Sequence, residues 1–136
     1  MELAERPKPM ATDRAAFPRE VEMIISALEA GGFPRQEQRE LQRIAYRTRA
    51  VLRLFSDMKG DRPWTLYTRD VNRRSMGFVT PHRLPLGHGG VVEIVVPGGR
   101  LLNVHCTLLR CREAAPGWFE GSVYFNRDQA DFQTLE

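Results

Sequence analysis

The chain reads as a mainly β protein: a six-stranded antiparallel barrel, preceded by an amphipathic helix and followed by a short C-terminal helix. Three observations lead there. Six segments of strand character follow one another between residues 47 and 125. Gly- and Pro-containing turns separate them, the pattern of a small closed antiparallel sheet. The one apolar stripe of helical period lies upstream of the whole series, at residues 18–30.

Taken in order, residues 1–16 mix charges of both signs with two prolines and show no apolar periodicity, so a flexible tail is expected. Residues 17–32 form the helical unit. Pro18 suits the first turn, Glu20 and Glu22 suit the positive end of the helix dipole, and Gly31-Gly32 stops the run. Val21, Ile24, Ile25 and Leu28 fall at i, i+3, i+4 and i+7, a stripe that must be buried. Either the barrel covers it, or it is an interface for self-association or for another protein.

Residues 33–136 form the barrel domain. Its polar approach, 35–43, is dense in Arg, Gln and Glu. Residues 47–55 alternate with Ala50, Leu52 and Leu54 on one face, and Lys59-Gly60 marks a hairpin turn. Residues 63–71 set Trp64, Leu66 and Thr68 against Thr65, Tyr67 and Arg69. A short strand comes next at 76–80, then a β-branched run at 90–96 closed by Pro97-Gly98-Gly99. Residues 100–112 form a long strand with Leu102, Val104, Cys106 and Leu108 inward, and 117–125 pair back on it through Ala115-Pro116-Gly117. Residues 128–135 suit one or two helical turns with Phe132 and Leu135 packed down.

With 136 residues, 42% of them apolar, the chain suits one folded domain. It contains no apolar run of membrane-spanning length and no apolar signal-peptide core near Met1, so a cytoplasmic location is expected. The net charge is +3, carried mostly by arginine, whose planar fork matches phosphate and the guanine edge. Cys106 and Cys111 stand five apart in one strand and should face opposite sides, as two reduced thiols. His82, His88 and His105 lack metal-ligand spacing. No metal or cofactor is expected, and no catalytic role: there is no Ser-His-Asp set, no carboxylate pair in apolar surroundings and no phosphate-cradling loop opening a helix. Nucleic acid is disfavoured, because Tyr46, Tyr67 and Tyr124 do not line up as one stacking platform.

Two segments carry recognition chemistry. Arg39-Glu-Leu-Gln-Arg43 places two guanidinia at i and i+4 just before the first strands, where both can converge on one anion. Arg35/Arg39 and Arg43/Arg47 are two other registers of the same spacing. Asp70-Val-Asn72-Arg-Arg74-Ser75-Met-Gly77-Phe78 is a polar turn leading into a strand. This pair of segments resembles the ligand signature of the PilZ domain, the bacterial receptor module for cyclic di-GMP: RxxxR before the first strand and [D/N]xSxxG after the second. Asn72 stands where that family has serine, and Ser75 where it has glycine.

The resemblance covers roughly residues 35–135 and implies a six-stranded barrel ending in a helix. It implies that Arg39 and Arg43 grip phosphate and the guanine edge, and that Asp70 accepts from guanine N1–H and N2–H. Asn72 retains an acceptor and donors. Arg74 adds a cation for stacking or phosphate, and Gly77 matches the entry to the next strand. Ser75 would cost on the order of 1 kcal/mol if its φ were positive. The implied function is a cyclic di-GMP effector that changes conformation on binding and signals to a partner. The alternative is a degenerate PilZ module that serves as an interaction scaffold.

Overall fold

The computed structural model describes residues 17–30, 43–96, 98–129 and 132. The expected tail, residues 31–42 with Arg39, and most of the expected C-terminal helix lie outside the described residues. The order is α1 (Arg19–Ala30), β1 (Ile44–Ala45), β2 (Arg49–Leu54), β3 (Trp64–Val71), β4 (Ser75–Thr80), β5 (Gly89–Val95), β6 (Leu101–Ala115) and β7 (Trp118–Phe125). All pairings are antiparallel. Strands β3-β2-β5-β6-β7-β4 form a continuous sheet, and β4 pairs back on β3, closing a six-stranded barrel. Closure removes the free edges that would otherwise invite intermolecular pairing.

β1 is an added piece on β3, one residue out of step with β2: Ala45 opposes Asp70, whereas Arg49 opposes Tyr67. The fully buried Thr68 hydroxyl sits in this offset. It accepts from Thr48 N–H at 2.8 Å and lies 2.5 Å from the Tyr46 carbonyl, which takes its proton. A side chain thus satisfies backbone groups that a regular ladder would have paired.

Alternation determines what fills the barrel. Ala50, Leu52 and Leu54 from β2 meet Val104, Cys106 and Leu108 from β6 in one core, with Phe78 and Phe125 fully buried among them. Burying each large apolar side chain stabilises the fold by roughly 1.5–3 kcal/mol. Phe132 closes the core from the C-terminal side, stacked on Phe125 at 5.7 Å and edge-on to Tyr46 at 6.0 Å.

Cys111 departs from the expectation of opposite faces. The β6–β7 register shifts between Leu108 and Arg110, and the added residue returns Cys111 to the barrel side, where it packs against the core that contains Cys106. Both remain free thiols, and burial pushes the Cys106 thiol pKa up to about 12.

α1 lies on the outside of the barrel. Val21, Ile25 and Leu28 cluster with Val79, and Tyr67, Ala114 and Trp118 pack around them. The barrel itself therefore covers this stripe, so a second copy is not needed to bury it. Polar contacts frame the seam: the Trp118 indole N–H donates to Glu20 at 3.0 Å. Among the described residues, no helix is long and apolar enough to cross a membrane.

Candidate functional site

The outward positions of β3, β4 and β7 build a small polar floor. Register places Asp70 opposite Gly77, and Gly77 opposite Ser122, in one row across three strands. Ser75 sits one outward position further along β4, opposite Tyr124. Arg43, just before β1, lies across this row. Its Nη1 donates to Asp70 at 3.2 Å, its Nε to Ser75 at 3.0 Å and its Nη2 to Ser122 at 3.0 Å. The Arg43 side chain is only 10% exposed, so these charge-assisted bonds operate largely out of water.

Gly77 makes the close approach possible. A Cβ at this position would stand 2.6 Å from Asp70 Oδ1 and 2.9 Å from Arg43 Nη1, both inside van der Waals contact. Its glycine character serves the ion pair above it, not a turn.

Asn72 builds the loop. Its side-chain oxygen accepts from Arg74 N–H at 2.7 Å, Ser75 N–H at 2.9 Å and the Ser75 hydroxyl at 3.3 Å. Asn72 is therefore the residue that caps the turn, a role equally open to Asp70 on sequence grounds. Asp70 instead faces Arg43. Ser75 opens β4, and no non-glycine among the described residues has a positive φ, so serine carries no backbone strain there.

Arg74 points along the neighbouring edge. Its Nη2 donates to the Tyr124 hydroxyl at 2.6 Å, and its Nη1 lies 3.3 Å from Asp128. The Tyr124 contact, with the nearby Asp128 charge as the lesser cause, raises the guanidinium's affinity for its proton. Arg73 reaches the same Asp128 carboxylate at 3.6 Å. Backbone bonds from Phe125 N–H to Arg74 and from Gln129 N–H to Arg73 strap the chain after β7 to this turn.

Of the residues named from sequence, Arg43, Asp70, Ser75 and Gly77 converge on one spot. Asn72 supports them from the loop, and Arg74 stands to the side with Tyr124. Arg39 lies outside the described residues. Ser122 was not singled out from the sequence. Strand alternation marks it as outward, but only the β4–β7 pairing shows that it meets an arginine 79 positions away. Arg47 and Arg69 complete the cationic side of this face. Arg47 Nη1 contacts Glu22 at 3.2 Å, and Arg69 Nε stands 3.9 Å from Asp70. Among the described residues no group of three His, Cys, Asp or Glu side chains is arranged to hold a metal ion.

No family model matches the chain, and no curated protein matches it. Among solved structures it is similar to "Structure of Bacillus subtilis Inhibitor of motility (MotI/DgrA)", with a TM-score of 0.55 and 11% sequence identity. The likeness covers 75% of this chain and 51% of that one, so this chain spans about half the length of the protein it resembles. At that identity the similarity establishes a shared fold.

Proposed function

We propose that this chain is a PilZ-type receptor that binds cyclic di-GMP on the outer face of the barrel and relays binding to a protein partner without chemistry of its own. One observation carries the reading. Arg43 of the first recognition segment is bonded to both Asp70 and Ser75 of the second. Two segments that the sequence holds some 30 residues apart thus act as one site. The Asp70 carboxylate is an acceptor suited to the N1–H and N2–H of guanine, and the Arg43 bond orients it. Arg39 would bring a second fork to the phosphates, and Arg74 beside the exposed Tyr124 offers a flat cationic edge for a base. The fold likeness to an inhibitor of motility is in keeping with a regulatory role.

A second reading, a scaffold that binds no nucleotide, draws support from how completely the protein itself employs these groups. Arg43 already donates to three side-chain oxygens, and Asn72 is engaged by the loop.

Calorimetric titration with cyclic di-GMP separates the two. The effector reading expects saturable binding at micromolar concentration or tighter. An arginine making charge-assisted bonds contributes roughly 1.5–3 kcal/mol, so Arg43→Ala should weaken binding about ten- to a hundredfold. Because that variant also loses structural bonds, Asp70→Asn, which keeps the side-chain volume, is titrated beside it. Absence of heat in the wild-type protein would refute the effector reading and favour the scaffold.

A further inference from the structure

A chain of alternating charge connects α1 to the candidate site. Glu22 contacts Arg47 at 3.2 Å, and Arg47 Nη2 stands 3.6 Å from Glu29. The same Glu29 oxygen is 4.0 Å from Arg69 Nε, Arg69 is 3.9 Å from Asp70, and Asp70 bonds Arg43. The helix thus supplies the carboxylates for two arginines that border the site.

The fit of those carboxylates is loose. The Glu22 contact has hydrogen-bond length, but both Glu29 contacts are long. The Nε–H groups of Arg47 and Arg69 are buried with no hydrogen-bond acceptor among the described residues. A buried donor without an acceptor is costly. Glu29 is held at its distance by the helix, whose apolar stripe is seated on Tyr67, Val79 and Trp118. A phosphate is not so tethered. A phosphodiester carries the same single charge on two non-bridging oxygens, but it is free to approach a guanidinium fork along both Nε and Nη. Glu22 and Glu29 are each about half exposed, so their release into water carries little desolvation change.

We infer that Arg47 and Arg69 form a phosphate subsite beside Arg43, that Glu22 and Glu29 of α1 are its built-in competing anions, and that a phosphodiester of a cyclic dinucleotide binds there by displacing the helix. This inference rests on the nucleotide-receptor reading above and adds the element that moves. Helix departure uncovers Tyr67, Val79, Ala114 and Trp118, an apolar strip available to a partner only when ligand is bound. Coupling is reciprocal: whatever weakens the hold of α1 tightens ligand by the same factor.

The test uses the full chain as wild type, as Glu22→Gln/Glu29→Gln and as Arg47→Gln. Each is titrated calorimetrically with cyclic di-GMP, and amide hydrogen exchange is followed over residues 19–30, with thermal melts to verify folding. Removing the three surface-type ion pairs made by these two carboxylates should tighten binding about three- to thirtyfold, and Arg47→Gln should weaken it about tenfold. Ligand should also lower protection in α1. Wild-type binding with equal affinity in the glutamine variant and unchanged α1 exchange would overturn it while leaving the receptor reading intact. Absence of binding in every form would overturn both.

Discussion

Replacing Gly77 by alanine tests the architecture of the site with one methyl group. The added Cβ would stand 2.6 Å from Asp70 Oδ1 and 2.9 Å from Arg43 Nη1, against an ordinary contact of 3.4 Å or more. The strand backbone is held on both sides, by β3 and β7, so the ion pair must yield. Lifting the pair removes a charge-assisted bond worth roughly 1.5–3 kcal/mol, offset by about 0.5–1 kcal/mol from the reduced backbone freedom of alanine. The net loss is about 1–2 kcal/mol. At about 4 °C per kcal/mol for a domain of this size, Tm should fall by about 4–8 °C. The discriminating measurement is a double-mutant cycle with Arg43→Ala, read by thermal or denaturant unfolding. With the guanidinium gone, Asp70 is free to swing away, and the methyl group should cost far less than it does in the wild type. Strictly additive costs, or an unchanged Tm for Gly77→Ala alone, would refute the claim that Gly77 exists to seat this pair.

The barrel yields two more expected outcomes. Thr68→Val takes the hydroxyl away from Thr48 N–H and the Tyr46 carbonyl, and should destabilise by about 1–3 kcal/mol in urea unfolding, with m unchanged. The His82 ring packs edge-on against Trp64, and burial lowers its pKa from 6.5. The unfolded chain then binds the proton more readily than the native one. The His82 contribution is therefore present above pH 6.5 and lost as pH falls through the lowered native value. His82→Phe, which keeps a ring against Trp64 but cannot titrate, should flatten the Tm profile in that acid window; an unchanged profile would assign the acid sensitivity elsewhere.

Much of the barrel was legible as a string of residues because strand patterning is local. Ala50, Leu52 and Leu54 recur at every second position, and Pro116-Gly117 marks a turn where glycine adopts φ of 79°. The stripe of α1 was equally legible, but not which surface would take it. Cys111 shows where such reasoning fails: a single added residue at Leu109 reverses inside and outside until a second shift between Glu113 and Ala115, and both arise from pairing with β7.

The candidate site divides along the same line. Sequence alone determined that arginines gather before the first strand, that a polar turn with Asp70, Asn72 and Ser75 leads into β4, and that Gly77 lies just beyond it. Only tertiary structure decided that Asp70, Gly77 and Ser122 form one row, that Asn72 serves the loop while Asp70 serves Arg43, and that Glu22 and Glu29 face Arg47 and Arg69. Spacing along a chain specifies which neighbours share a face. The bonds that Arg43 makes to Asp70 and Ser122 span 27 and 79 positions, and they exist only once the barrel has closed.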